Sequence, residues 1–160
     1  MSGDVLTPFV PTAYLIRHAT PDWNRTDLPY YLPPGPPLTA QGEDEARQLG
    51  RFLWEAGVRL IYASPLERAW RTAEIAAGIA GASLWQETNL AEWRPEEKAD
   101  DVRARAWPAW EHASALSQQA GPTAQWCCTR AVNCTSTWRR IKILRSSGCV
   151  PVYSSSLVST

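Results

Sequence analysis

The fold of this chain is decided by residues 14–20, which read YLIRHAT. Three apolar side chains in a row are typical of a short strand buried inside a sheet. Arg17 and His18 follow at once, and the chain then turns at Pro21. We therefore predict a buried strand over residues 12–18 that delivers an Arg-His pair into a loop.

Three further segments follow along the chain. Residues 38–42 read LTAQG and begin a helical pattern, with Thr39 placed to cap the helix. Residues 63–73 read ASPLERAWRTA and contain Arg68, and residues 90–92 read LAE. Each segment alone is compatible with an ordinary surface. Their order and spacing together form a recognisable pattern.

These segments, from residue 12 to about 95, resemble the histidine phosphatase superfamily, also called the phosphoglycerate mutase-like superfamily. The resemblance, which extends to about residue 124, implies that His18 is a nucleophile. Attack on a phosphate ester would form a phosphohistidine and divide one difficult displacement into two easier ones. The resemblance also makes Arg17 and Arg68 phosphate-binding residues, since a guanidinium donates two parallel N–H groups to phosphoryl oxygens.

The resemblance assigns further roles near this pair. Glu92 stands where the family carries its acid, which protonates the leaving oxygen and then activates water. Asn24 and Thr20 lie at nearby loop positions and are candidates for additional phosphate-binding hydrogen bonds. Thr20 departs from the Glu often found at its position.

The implied partner is a small phosphorylated substrate. We expect no metal and no cofactor, because the arginines supply the positive charge. No long substrate-shaping insertion separates Glu92 from residue 125, which favours a phosphatase over a phosphoglycerate mutase. A mutase-type phosphoryl transfer and a non-catalytic phosphate-ester binder remain the alternatives.

Length and composition limit the number of domains, the classes of partner and the location that we expect. A length of 160 residues fits one domain with a sizeable core. The net charge of zero gives no reason to expect a nucleic-acid or membrane partner. No apolar run is long enough to span a bilayer, and the N-terminus lacks a basic region before a hydrophobic stretch. We therefore expect a cytoplasmic protein, whose oligomeric state the sequence does not indicate.

Strand-like and helix-like segments alternate along the chain. The pattern predicts strands over residues 12–18, 58–63 and 82–86 and helices over residues 39–56, 65–80 and 96–119. Alternation of this kind favours an α/β fold, with a mainly parallel central sheet covered by helices on both faces. The loop over residues 21–37 holds six prolines, so we expect a stiff segment over the mouth of the pocket.

The composition changes near Gln125. All sixteen acidic residues precede it and all four cysteines follow it. Eleven basic residues precede it and five follow it, so the two parts carry charges of −5 and +5. We accordingly divide the chain into an incomplete histidine phosphatase-like domain over residues 1–124 and an anomalous tail over residues 125–160. This division predicts that the C-terminal part of the fold is disrupted.

The resemblance also implies a second pocket histidine, on a loop after a strand that follows the long helix. This sequence has only one other histidine, His112, within residues 110–113, WEHA. No apolar strand precedes His112, so we interpret it as a residue on the surface of a helix.

The genetic code indicates where a codon for that second histidine lies. Residues 125–129 read QWCCT. Trp has the codon TGG, Cys has TGT or TGC, and Thr has ACN. Suppose that the reading frame is shifted so that each new codon begins on the last base of an original codon. The codon across the Gln-Trp junction then encodes Val or Met. The Trp-Cys junction then encodes Val, the Cys-Cys junction Leu, and the Cys-Thr junction His or Tyr. This alternative frame gives an apolar strand that ends in histidine, so we infer that the tail is frameshifted.

Two alternatives to a frameshift remain. The tail could be a genuine, divergent extension of the domain. It could also hold a metal through Cys127, Cys128, Cys134 and Cys149, although these cysteines lack the paired CxxC spacing of zinc sites.

Overall fold

The structure is a computed structural model that describes residues 13–119, 127–128 and 141–145. Its elements are β1 (Ala13–Arg17), α1 (Ala40–Glu55), β2 (Leu60–Ala63), α2 (Glu67–Ala80), β3 (Ser83–Gln86), a 3₁₀ turn (Thr88–Leu90), α3 (Ala99–Gln119), β4 (Cys127–Cys128) and β5 (Ile141–Arg145). The predicted alternation of strands and helices is confirmed as far as α3, and β4 and β5 follow it where no strand was predicted.

All paired strands run parallel. β1 lies between β4 and β5 in a three-stranded sheet, and β2 pairs with β3 in a second sheet. β2 also lies close to β4, so the two sheets stand side by side. The predicted mainly parallel arrangement is therefore confirmed.

Helices cover both faces of these strands. Successive side chains of a strand point to opposite faces, and β1 shows this directly. Tyr14 and Ile16 join a buried cluster with the apolar residues of α1 and α2, whereas Ala13 joins another with Trp110 and Ala113 of α3. The prediction of helices on both faces is confirmed.

Helix α1 has the ends that the sequence predicted. The Thr39 hydroxyl accepts a hydrogen bond of 3.0 Å from the Gly42 N–H, as an N-cap does. Gly57 follows the helix with a φ of 74°, a left-handed conformation that glycine adopts without steric cost. The helix buries Leu49 and Leu53, which lie on one face.

Helix α3 begins three residues later than predicted, at Ala99 rather than residue 96. The carboxylate of Glu97 instead accepts a hydrogen bond of 2.9 Å from the backbone N–H of Arg94. Asp101 likewise accepts a 2.8 Å bond from the Lys98 N–H. Polar side chains therefore turn this segment into a loop before the helix starts.

Strands β4 and β5 lie beyond the composition break at Gln125, and both pair with β1. The domain boundary at residue 124 stays a prediction. Two of the four cysteines considered as metal ligands, Cys134 and Cys149, lie outside the described residues. Among the described helices, none is both long enough and apolar enough to cross a membrane.

The start of α1 packs directly on the chain that leaves β1. The backbone N–H and the hydroxyl of Thr39 both donate to the Thr20 carbonyl, at 3.1 and 3.2 Å. A methyl group added at Gly42 would overlap that same carbonyl oxygen. The close approach therefore requires glycine at position 42.

We expect Gly42→Ala to lower the free energy of unfolding by about 1–3 kcal/mol, because the overlap forces the backbone to shift. Gly78→Ala is the matched control. Gly78 is exposed in α2, and an added methyl would meet no described atom within 4 Å. That change should be neutral or stabilise by up to about 1 kcal/mol. Urea unfolding measures both, and equal stability of the two variants would contradict the close packing.

Candidate active site

His18 lies directly after β1 and is buried, with 5% of its surface exposed. Its Nδ1 is 2.8 Å from the Ala19 carbonyl oxygen. A carbonyl only accepts hydrogen bonds, so this contact places the proton on Nδ1 and the lone pair on Nε2. Nε2 faces the Tyr30 hydroxyl at 3.3 Å. Nε2 is therefore the ring nitrogen suited to nucleophilic attack.

The chain around His18 is held from two sides. On the α2 side, the Ala19 N–H donates to the Thr72 hydroxyl at 3.0 Å, and that hydroxyl donates to the Arg68 carbonyl at 2.6 Å. On the α1 side, the N–H and hydroxyl of Thr20 both donate to the buried Glu45 carboxylate at 2.9 Å. Helices α1 and α2 thus fix the backbone on which His18 stands.

Arg68 brings a positive charge into the interior, with 1% of its surface exposed. Its Nη1 donates to the Tyr30 carbonyl at 2.7 Å, and its Nη2 donates to Glu92 Oε2 at 3.3 Å. Its Nε has no hydrogen-bond partner among the described residues. Burial lowers the pKa of Arg68, but a guanidinium stays charged in proteins. A buried cation with a spare N–H is suited to an anionic ligand.

Glu92 meets Arg68 from the segment that follows the 3₁₀ turn. Its side chain is 16% exposed. Oε2 accepts from Arg68, and Oε1 accepts from the Trp93 N–H at 3.2 Å. The carboxylate is thus oriented by two donors and stays open to solvent on part of its surface.

Arg105 of α3 anchors the segment that carries Glu92. Its guanidinium donates to the carbonyls of Asn89 and Glu92, at 2.6 and 3.2 Å. It also binds both carboxylate oxygens of Glu97, at 2.7 and 3.0 Å. The hydrogen bond from Arg105 lowers the pKa of Glu97 to about 2. Arg105 therefore ties the acid-bearing segment to helix α3.

His18, Arg68 and Glu92 line a common cleft. The other residues that line it are Ser64, Leu66, Ala69 and Leu90. His18 follows the end of β1, and Ser64 follows the end of β2. The cleft thus lies at the carboxyl ends of parallel strands, where open α/β sheets bind ligands.

The other residues predicted to bind phosphate are not among the described residues that line the cleft. Arg17 ends β1 and is half-buried, but it does not belong to the described residues that line the cleft. Thr20 donates to Glu45, and Asn24 is exposed, with its N–H donating to Asp22. Phosphate-binding roles for Arg17, Thr20 and Asn24 stay predictions. His112 is exposed on α3, as predicted.

Sequence reasoning missed Tyr30. Its ring lies over the Arg68 guanidinium, and Cζ of Arg68 is 3.7 Å from the ring centroid. Trp23 stacks on the same ring at 5.1 Å, with an angle of 19° between the planes. The sequence did place a stiff, proline-rich loop over the pocket mouth. The one available signal was the pair of tyrosines, Tyr30 and Tyr31, within that loop.

Known proteins resemble this chain in sequence and in fold. The family model of the histidine phosphatase superfamily, branch 1, matches residues 13–141. The match runs past Gln125 to residue 141, so it includes the first part of the predicted tail. "Probable phosphoglycerate mutase GpmB" of Salmonella arizonae is 37% identical over 79 residues, which cover 49% of this chain and 36% of that protein. The aligned part spans about a third of this curated relative.

Solved structures share the fold. A mycobacterial glucosyl-3-phosphoglycerate phosphatase superposes with a TM-score of 0.60 at 20% identity, covering 72% of each chain. A phosphoglycerate mutase from Bacillus anthracis superposes with a TM-score of 0.65 at 15% identity, covering 75% of this chain and 74% of that one. At these identities the likeness establishes the fold alone. Because the family model covers most of its length, the chain belongs to the histidine phosphatase superfamily, branch 1.

Proposed function

We propose that this chain is a phosphatase that hydrolyses small phosphate monoesters through a phosphohistidine on His18. One observation carries the proposal. His18, whose lone pair is on Nε2, lines the same cleft as the buried Arg68 and its partner Glu92. A nucleophile, an anion-binding cation and an acid therefore meet at one place, which is what phosphoryl transfer requires.

The proposed reaction has two steps. Arg68, together with Arg17, holds the phosphoryl oxygens while Nε2 of His18 attacks phosphorus and the ester P–O bond breaks. Glu92 gives its proton to the leaving oxygen. Water then attacks the phosphohistidine, Glu92 takes a proton from that water, and the P–N bond breaks to release inorganic phosphate. The Nδ1–H bond to the Ala19 carbonyl keeps the ring oriented in both steps.

A phosphoglycerate mutase is the second candidate, since the curated relative carries that name. A mutase returns the phosphoryl group to a second hydroxyl of the substrate rather than to water. In this chain only a short connection separates Glu92 from the start of α3 at Ala99. A connection of that length leaves little chain to enclose the intermediate, which favours transfer to water. A non-catalytic phosphate-ester binder is the third candidate.

We also propose that turnover in this chain is impaired, because the tail from Gln125 is frameshifted and lacks the second pocket histidine. β4 supports this proposal by its position. It pairs in parallel with β1 at Tyr14 and Leu15, so its carboxyl end faces the same edge of the sheet as His18. The alternative frame places its histidine codon directly after Cys128. The cytoplasmic location likewise stays a prediction from the sequence.

The test of function is an assay of the full 160-residue chain. We expect phosphate release from p-nitrophenyl phosphate and from 3-phosphoglycerate, without exchange between the two hydroxyl positions of the latter. Arg68→Leu should lower the rate by about 10²–10³-fold, the effect of removing one preorganised donor. Exchange without release would favour the mutase. Binding of phosphate without either reaction would favour the non-catalytic binder.

A further inference from the structure

Tyr30 lies against His18 and Arg68, the two cleft residues that would contact the phosphoryl group in the proposed function. Its hydroxyl lies 3.3 Å from His18 Nε2. Its ring covers the Arg68 guanidinium at 3.7 Å, and its carbonyl accepts from Arg68 Nη1 at 2.7 Å. One residue thus contacts both groups that would hold phosphorus and its oxygens.

The cavity beside Tyr30 is too small for a phosphate ester. The cavity among the lining residues measures about 10 Å³, which is close to the minimum needed for a single water. Attack by Nε2 requires phosphorus within about 3–3.5 Å of it, and the Tyr30 hydroxyl stands at that distance. A phosphoryl group and the Tyr30 side chain therefore exclude one another.

We propose that Tyr30 is a gate, a resident occupant of the phosphoryl seat that a ligand must displace. The inference rests on the proposed function, since it takes the cleft as a phosphate site. When the gate is closed, the aromatic ring and its carbonyl partly satisfy the buried Arg68. When it is open, phosphoryl oxygens take over those contacts.

The proposed opening is local, because the stiff loop that carries Tyr30 is anchored at two points. Its base is held where the Asp22 N–H donates to the Pro37 carbonyl at 2.8 Å. A second anchor joins the loop to α2, where the Glu67 N–H donates to the Pro34 carbonyl at 2.7 Å. Trp23, stacked on the outer face of Tyr30, is 55% exposed. Tyr30 and Trp23 can therefore move together towards solvent while both anchors persist.

The gate also predicts which ligands enter. An uncharged group gains little from Arg68 beyond what the tyrosine ring already provides. A phosphate dianion gains charge-assisted hydrogen bonds from the buried Arg68 guanidinium, which lines the cleft. The closed gate therefore favours doubly charged phosphoryl groups over neutral or singly charged compounds of similar size.

The experiment measures the dissociation constant of inorganic phosphate by calorimetry on the full chain. We expect Tyr30→Ala to bind phosphate roughly 5- to 10-fold more tightly than the parent, because the fraction of competent protein rises when the occupant is removed. Tyr30→Phe, which keeps the ring but loses the hydroxyl at His18, should lie between them. Tyr31→Ala and Tyr31→Phe are the matched controls and should bind as the parent does.

Fluorescence gives a second reading. Phosphate should change the emission of the parent, and Trp23→Phe should lose that change because Trp23 moves with Tyr30. Unchanged or weaker binding in both Tyr30 variants, with the circular dichroism of the parent, would overturn the gate but leave the phosphate site standing. Binding that persists in full in Arg68→Leu would instead overturn the phosphate site and the gate with it.

Discussion

Replacing His18 with alanine should abolish covalent phosphorylation of the chain and reduce aryl phosphate hydrolysis to background. The reason is that the variant lacks the atom that forms the P–N bond, so the two-step route is closed. Removing a nucleophile costs on the order of 10⁶-fold in turnover in a well-studied hydrolase. Because we propose that this chain has impaired activity, the measurable loss of hydrolysis rate is limited. Covalent labelling with phosphate is therefore the more sensitive measurement.

The measurement is incorporation of labelled phosphate from an aryl phosphate, followed by acid treatment. Phosphohistidine is labile in acid, whereas phosphoserine and phosphothreonine are not. His112→Ala is the matched control, since His112 is exposed on α3, and it should keep the label and the rate. An acid-labile label that survives in His18→Ala would place the nucleophile elsewhere.

Restoring the alternative reading frame from Gln125 should raise turnover by about 10²–10³-fold, the effect expected from one additional pocket donor. It should also raise the melting temperature. The restored segment reads Val or Met, then Val and Leu, where β4 pairs with β1, and apolar residues suit a strand inside a parallel sheet. Calorimetric melting and p-nitrophenyl phosphate hydrolysis of the two versions provide the comparison.

A second restored version distinguishes the effect of the strand from the effect of the histidine. It carries a glutamine codon where the restored frame encodes histidine. We expect it to recover the melting temperature but not the rate, since the strand is rebuilt without the pocket group. If the original chain melts and turns over as the restored one does, the tail is native and the frameshift inference is wrong.

Local patterns in the sequence predicted most of the framework. The run over residues 14–16 indicated β1 because apolar periodicity reports burial. Thr39 and Gly57 marked the ends of α1 because capping depends on a few neighbouring residues. The start of α3 was misplaced because the carboxylates of Glu97 and Asp101 accept from backbone N–H groups before the helix, and periodicity does not report such contacts.

The sequence by itself determined the order of the elements as far as α3, their parallel arrangement and the family to which the chain belongs, whereas β4 and β5 were not predicted. Only the tertiary structure decided which side chains share the cleft. Arg68 meets Glu92 across 24 residues and Tyr30 across 38. Such contacts depend on how a loop and two helices pack around the strand ends. A residue's own neighbours in the chain fix its backbone conformation, whereas its partners in space follow from the packing of distant segments.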